Sequence, residues 1–195
     1  MRSVLSALLL TVVASVVMQA APSETAGVWL EVPFIKQTEE GCGSAAIAML
    51  LRYWEAQGMA VSPGRDDAEA IQKELYSRKA HGIFASDMQR YLADSGLRAF
   101  TVRGEWGELR EHLTHGRPLI ISLQPARAHA ALHYVVAAGM DWQHEAVFLN
   151  DPARGKLLRV ERQEFEKQWS AARNWMLLAV PAKGATQDAQ DKRDD

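Results

Sequence analysis

The apolar residues of this 195-residue chain change their spacing near Pro118, and that change bounds the fold more tightly than any other feature. Before it they recur at helical intervals. Ile47, Leu50, Leu51 and Trp54 mark one face of a helix over 44–57, which Gly58 closes. Acids open a second helix over 66–76. Ser86 caps a third over 86–96, with Met88, Tyr91 and Leu92 on one face, and a short fourth runs over 106–115. After Pro118 the apolar runs are short and of strand type: 118–123, 133–138, 145–150, 156–160 and 174–180. One charged helix over 161–172 separates the last two, and a short extended lead-in over 28–35 precedes everything. Helices first and short strands with tight turns last predict an α+β fold, with N-terminal helices packed on a mostly antiparallel sheet.

Both ends stand apart from this pattern. Arg2, an apolar run over 4–18 and the small residues Ala20 and Ala21 have the order of a secretory signal peptide, too short for a typical membrane span. Residues 1–21 are therefore expected to be removed, leaving one domain over 22–181 and a disordered polar tail over 182–195. The expected location is periplasmic or secreted, with no stable membrane insertion after signal removal. A net charge of −2 without a dense basic block disfavours nucleic acid as a partner.

Export normally favours paired cysteines, yet this chain has one, Cys42, in the stretch QTEEGCGSAAIAMLL that starts at Gln37. It sits at the N-terminal end of the first helix, where the amides favour a thiolate, and Gly41 and Gly43 leave its backbone uncrowded. A small buried hydrophobe is the bland alternative. A nucleophilic cysteine needs a base and an orienting group. Of the six histidines, His112 and His115 read as solvated surface, and His81 and His144 fall in turns. His133 heads an apolar strand, with His129 as its rival in a loop. A hairpin around 141–144 would bring Asp151, at the end of the next strand, beside His133. Asp151 before Pro152 can equally be a turn starter. Gln37 could present its amide to the same carbonyl as the Cys42 N–H, although a glutamine in a loop is usually surface.

These blocks, together with VPFIKQ before the cysteine, SDMQRYLADSG in the middle and GRPLIISL before the histidine strand, resemble the C39-like cysteine peptidases of the papain-fold superfamily. The resemblance runs in order over 28–180. It implies a papain-like fold, Cys42 as nucleophile, His133 as general base and acid, Asp151 as orienter and Gln37 in the oxyanion hole. It also implies a peptide or protein substrate, cleaved at a peptide or amide bond through a thioester acyl-enzyme, and no metal or organic cofactor. Ser44 departs from the family, where proline is common after Cys-Gly. The best-known members are fused to bacteriocin exporters and cut leader peptides after a Gly-Gly pair inside the cell. The N-terminus of this chain points outside, so that substrate is not carried over.

Three rivals remain. His112 with His115, or His129 with His133, have metal-ligand spacing but lack the accompanying glutamate. A catalytically silent papain-like module would bind peptides without turnover. An amidase or acyl transferase would use the same triad, since the thioester is common to hydrolysis and transfer.

Overall fold

The computed structural model describes residues 26–125 and 131–182. The signal-like segment, His129 and the tail beyond Ala182 lie outside them. The chain runs β1 (Gly27–Trp29), α1 (Cys42–Ala56), α2 (Ala68–Leu75), α3 (Ala85–Asp94), β2 (Leu97–Arg103), α4 (Trp106–Thr114), β3 (Leu119–Leu123), β4 (His133–Asp141), β5 (Ala146–Asp151), β6 (Gly155–Glu161), α5 (Arg162–Ala171) and β7 (Trp175–Pro181). One antiparallel sheet has the order β2-β7-β3-β4-β5-β6, and β1 pairs with β4.

The central strands sort their side chains by alternation. Val136 and Ala138 of β4, with Ile120, Leu177 and Ala179, face α1, α2 and α3. Val135 and Ala137, with Leu119, Ile121, Val147 and Met176, face α4 and α5, where Leu109, Leu113, Phe165 and Trp169 meet them. The result is three layers. α1 is apolar nearly all round and is buried from Gly43 to Leu51, as such a helix must be. Ala45, Ala46 and Ala48 let it lie close to the sheet. A bulge between Ala137 and Gly139 shifts the β4–β5 register, and a Cβ at Gly139 would come within 2.7 Å of the Val28 carbonyl oxygen.

Helices therefore pack on an antiparallel sheet, as the spacing predicts, with two corrections. β2 lies among the helices in sequence and pairs with β7 at the sheet edge. Its outer residues are mostly exposed, so it lacks the apolar run that marks a central strand. Ser86 does not cap α3. Phe84 holds the N-cap position without a side-chain hydrogen bond, and helix formation begins at Ala85. Asp67 does cap α2, accepting from the Ala70 N–H at 2.7 Å.

Because α1 is buried from Gly43 to Leu51, truncation inside that stretch leaves a cavity that its neighbours fill poorly. Leu50→Ala is expected to lower unfolding free energy by about 2–5 kcal/mol. Urea titration would read this as a lower midpoint with an unchanged slope.

Candidate active site

Cys42 is the first residue of α1, half-buried, with the whole helix behind it. A turn formed by the Gly41 N–H donating to the Thr38 carbonyl at 3.1 Å leads into it. Only glycine fits at position 41, since a Cβ there would stand 2.8 Å from Thr38 Oγ1 and 3.1 Å from its carbonyl oxygen. Ser44, where the family commonly has proline, is buried and donates its hydroxyl to the Gly41 carbonyl at 3.0 Å. It closes the first turn of the helix from inside.

His133 opens β4 and Asp151 ends β5, and the two strands pair as a hairpin. In the local register Asn150 faces Val136, so the Asp151 side chain reaches diagonally back along β4 to His133. His133 Nε2 donates to Asp151 Oδ1 at 2.7 Å. The other ring nitrogen, Nδ1, is left free for Cys42, which acts on the ring together with Asp151. Asp151 is also a turn starter: the Ala153 N–H donates to its carboxylate and the Arg154 N–H to its carbonyl, both at 3.0 Å. The two readings of Asp-Pro are one structure.

The charges follow from these contacts. Burial alone would push the His133 imidazole down, but the hydrogen bonds to Asp151 and Cys42 and their negative charge outweigh it and push it up to about 9. Burial would raise the Asp151 carboxyl, which is 6% exposed. The His133 hydrogen bond and charge, the Ala153 N–H and the Arg154 charge instead hold it below the usual carboxylate range. Tyr134, next along β4, is pushed up to about 12 by burial and by negative charge on Cys42.

Two ties join the cysteine half of the site to the histidine half. The Gln37 N–H donates to the Pro152 carbonyl at 3.0 Å. Asn150, fully buried, donates to the Val32 carbonyl at 3.1 Å and accepts from the Leu157 N–H at 2.9 Å. The Gln37 side-chain Oε1 is buried without a hydrogen-bond partner among the described residues. Sequence reasoning passed over Asn150, although a polar residue between Leu149 and Asp151 in a core strand was a visible signal. His81 stands in a turn, as the sequence indicates, and the turn carries a contact. His81 Nδ1 lies 3.1 Å from a Glu40 carboxylate oxygen, and Tyr76 donates to the other. Tyr76 first, then His81, hold the Glu40 carboxyl low. Together they grip the residue two positions before Cys42, which has a left-handed backbone (φ 53°).

His115 Nδ1 donates to the Glu111 carbonyl of its own helix at 2.8 Å. His112 is half-buried rather than solvated, and burial, then the Arg117 charge, holds it below its ordinary value. The helix turns it toward the interior, which its neighbours in sequence did not reveal. Among the described residues no group of three His, Cys, Asp or Glu side chains is placed to hold a metal ion, and no helix is long and apolar enough to cross a membrane.

The fold and this geometry can be set beside known proteins. A family model described as "Peptidase_C39 like family" matches residues 29–176. No curated protein matches. Among solved structures, a double glycine motif protease from an AMS/PCAT transporter, in complex with the leader peptide, is 24% identical with a TM-score of 0.60, covering 80% of this chain and 95% of its own. A putative C39-like peptidase from Bacillus anthracis is 19% identical (TM-score 0.54; 80% and 98% covered). The peptidase domain of Streptococcus ComA, a bifunctional ABC transporter, is 17% identical (TM-score 0.59; 78% and 100% covered). The shared architecture is the papain-like fold of C39 peptidase domains.

The pair His133–Asp151 also links stability to pH. The His133 value is raised above its ordinary 6.5, so its contribution is complete below that pH and is lost as pH rises through about 9. The Asp151 value is lowered from 3.8, so its contribution is complete above that pH and is lost on acidification. The margin in urea midpoint of the native protein over Asp151→Asn should therefore be widest between these ordinary values and shrink on both sides.

Proposed function

Because the chain belongs to the Peptidase_C39 like family, we propose that it is an exported cysteine peptidase cleaving a peptide or amide bond through a thioester on Cys42. The observation that carries this reading is a single imidazole, His133, hydrogen-bonded to Asp151 through Nε2 and raised in proton affinity by both Asp151 and Cys42. With its value near 9, His133 holds a proton at neutral pH and can balance a thiolate beside it.

In the first half-reaction Cys42 Sγ adds to the scissile carbonyl carbon. The backbone N–H of Cys42, at the helix N-terminus, and the Gln37 side-chain amide are the donors assigned to the oxyanion. His133 passes its proton to the leaving amine, the C–N bond breaks, and a thioester remains. In the second, His133 takes a proton from water as the water oxygen attacks the thioester. Collapse releases a carboxylic acid and restores the thiolate–imidazolium pair. Asp151 holds the ring in one orientation and stabilises its charge throughout. The peptide substrate is likewise a proposal, supported by the neighbour solved with a leader peptide bound.

The pH profile of kcat/KM tests the reading. The alkaline limb should fall near the His133 value of about 9, and Asp151→Asn should move it to lower pH because the carboxylate charge is gone. Cys42→Ala should abolish turnover, and Gln37→Ala should lower kcat by about a hundredfold to a thousandfold. Iodoacetamide labelling of Cys42 that ignores loss of His133 would sink the proposal.

Export rests on the N-terminal residue order alone. Cell fractionation with intact-mass measurement should find the protein outside the cytoplasm and shortened by about 21 residues. Full-length protein in the cytoplasm would reject it.

A further inference from the structure

Next to His133, on the α1 face of the sheet, lies a cavity of about 650 Å³ that the mechanism does not use. The sequence neighbours of His133, Leu132 just before β4 and Tyr134 within it, line one side. Tyr134 packs against Trp175 with ring centroids 5.4 Å apart, and Leu132 is 49% exposed. Between Tyr134 and the sheet edge lies Ser122, paired with Tyr134 across the β3–β4 ladder. Its hydroxyl is buried, the residue 2% exposed, and it has no hydrogen-bond partner among the described residues.

Two arginines also line it, Arg103 at the end of β2 and Arg173 before β7. They are brought together by design of the backbone around them. The Gly104 N–H donates to the Asn174 carbonyl at 2.9 Å, and the Asn174 side-chain amide donates to the Gly104 carbonyl at 3.1 Å. Arg173 and Asn174 both hold left-handed backbone (φ 61° and 54°), a conformation that costs free energy outside glycine. Among the described residues neither arginine makes an ion pair and no Asp or Glu lines the cavity. Two cationic residues that line one cavity with apolar side chains and a buried, unsatisfied hydroxyl suit an anion.

We propose that this groove receives a carboxylate-bearing side chain of the substrate, Asp or Glu, within a few residues of the scissile bond. Arg103 and Arg173 hold the carboxylate, and Leu132, Tyr134 and Trp175 cover its aliphatic stem. The groove is a specificity site and takes no part in bond breaking. It rests on the peptidase reading for its link to cleavage, but its charge preference can be measured without turnover.

The test uses the full-length protein, Arg103→Glu/Arg173→Glu and Cys42→Ala, each checked for an unchanged melting profile. Mass spectrometry of a random peptide pool after digestion should show Asp or Glu enriched at one position near the cut. The double variant should lower kcat/KM for such peptides by about tenfold or more and transfer the preference to Lys or Arg. Cleavage without an acidic preference, or with one that survives the double variant, overturns the proposal. In parallel, Cys42→Ala is titrated with fluorescein-labelled octapeptide pools containing Glu, or Gln in its place. Tighter binding of the Glu pool that is lost when the arginine changes are added to Cys42→Ala supports the groove. Should no peptide be cleaved while that binding persists, the peptidase reading fails and the groove stands. Absence of both cleavage and charge-dependent binding removes the groove.

Discussion

The burial of α1 organises this molecule. From Gly43 to Leu51 the helix is enclosed by α2 and α3 on one side and by the sheet on the other, with Ala45, Ala46 and Ala48 permitting close approach. Such a helix has few ways to shift, because any displacement opens voids along its whole length. Its C-terminal residues, Glu55 and Ala56, are exposed, whereas its N-terminal end is only half-buried, and Cys42 stands there. The position of the thiol is thus fixed by packing several residues away, and the site inherits the rigidity of the core.

The other half of the site depends on a different constraint, the register of the β4–β5 hairpin. His133 and Asp151 belong to separate strands and meet because the two strands pair, with the bulge at Ala137–Gly139 setting the offset. The halves are then joined by buried polar contacts, Asn150 to the Val32 carbonyl and Gln37 to the Pro152 carbonyl. Polar groups in a low-dielectric interior are costly when unpaired, so such contacts specify one arrangement of the segments that carry them. The Glu40–Tyr76–His81 cluster does the same on the exposed side of the cysteine loop, where solvent screens it more strongly.

Much of this was legible in the sequence. Cys42 between glycines before an apolar helix, His133 at the head of a strand, and Asp151 at the end of the next are local patterns, and the structure brings those three together. What escaped carried too little local pattern to assign a role. β2 is an edge strand whose exposed residues do not alternate clearly, and α3 starts without the capping side chain that Ser86 seemed to offer. Asn150 carries meaning only through partners more than a hundred residues away in one direction and seven in the other. Arg103 and Arg173 are two surface arginines in sequence, and become a pair only through Gly104 and Asn174.

The sequence by itself determined the order of helices and strands, the helix end occupied by the thiol, and the strand ends occupied by the imidazole and the carboxylate. These follow from hydrophobic period and from Gly and Pro punctuation, which act over a few residues. Only the tertiary structure decided which ring nitrogen of His133 meets Asp151, how far burial and hydrogen bonding move their proton affinities, and which charges share a groove. Those properties depend on distance and solvent exclusion between residues far apart in the chain, and neither quantity exists until the chain has folded.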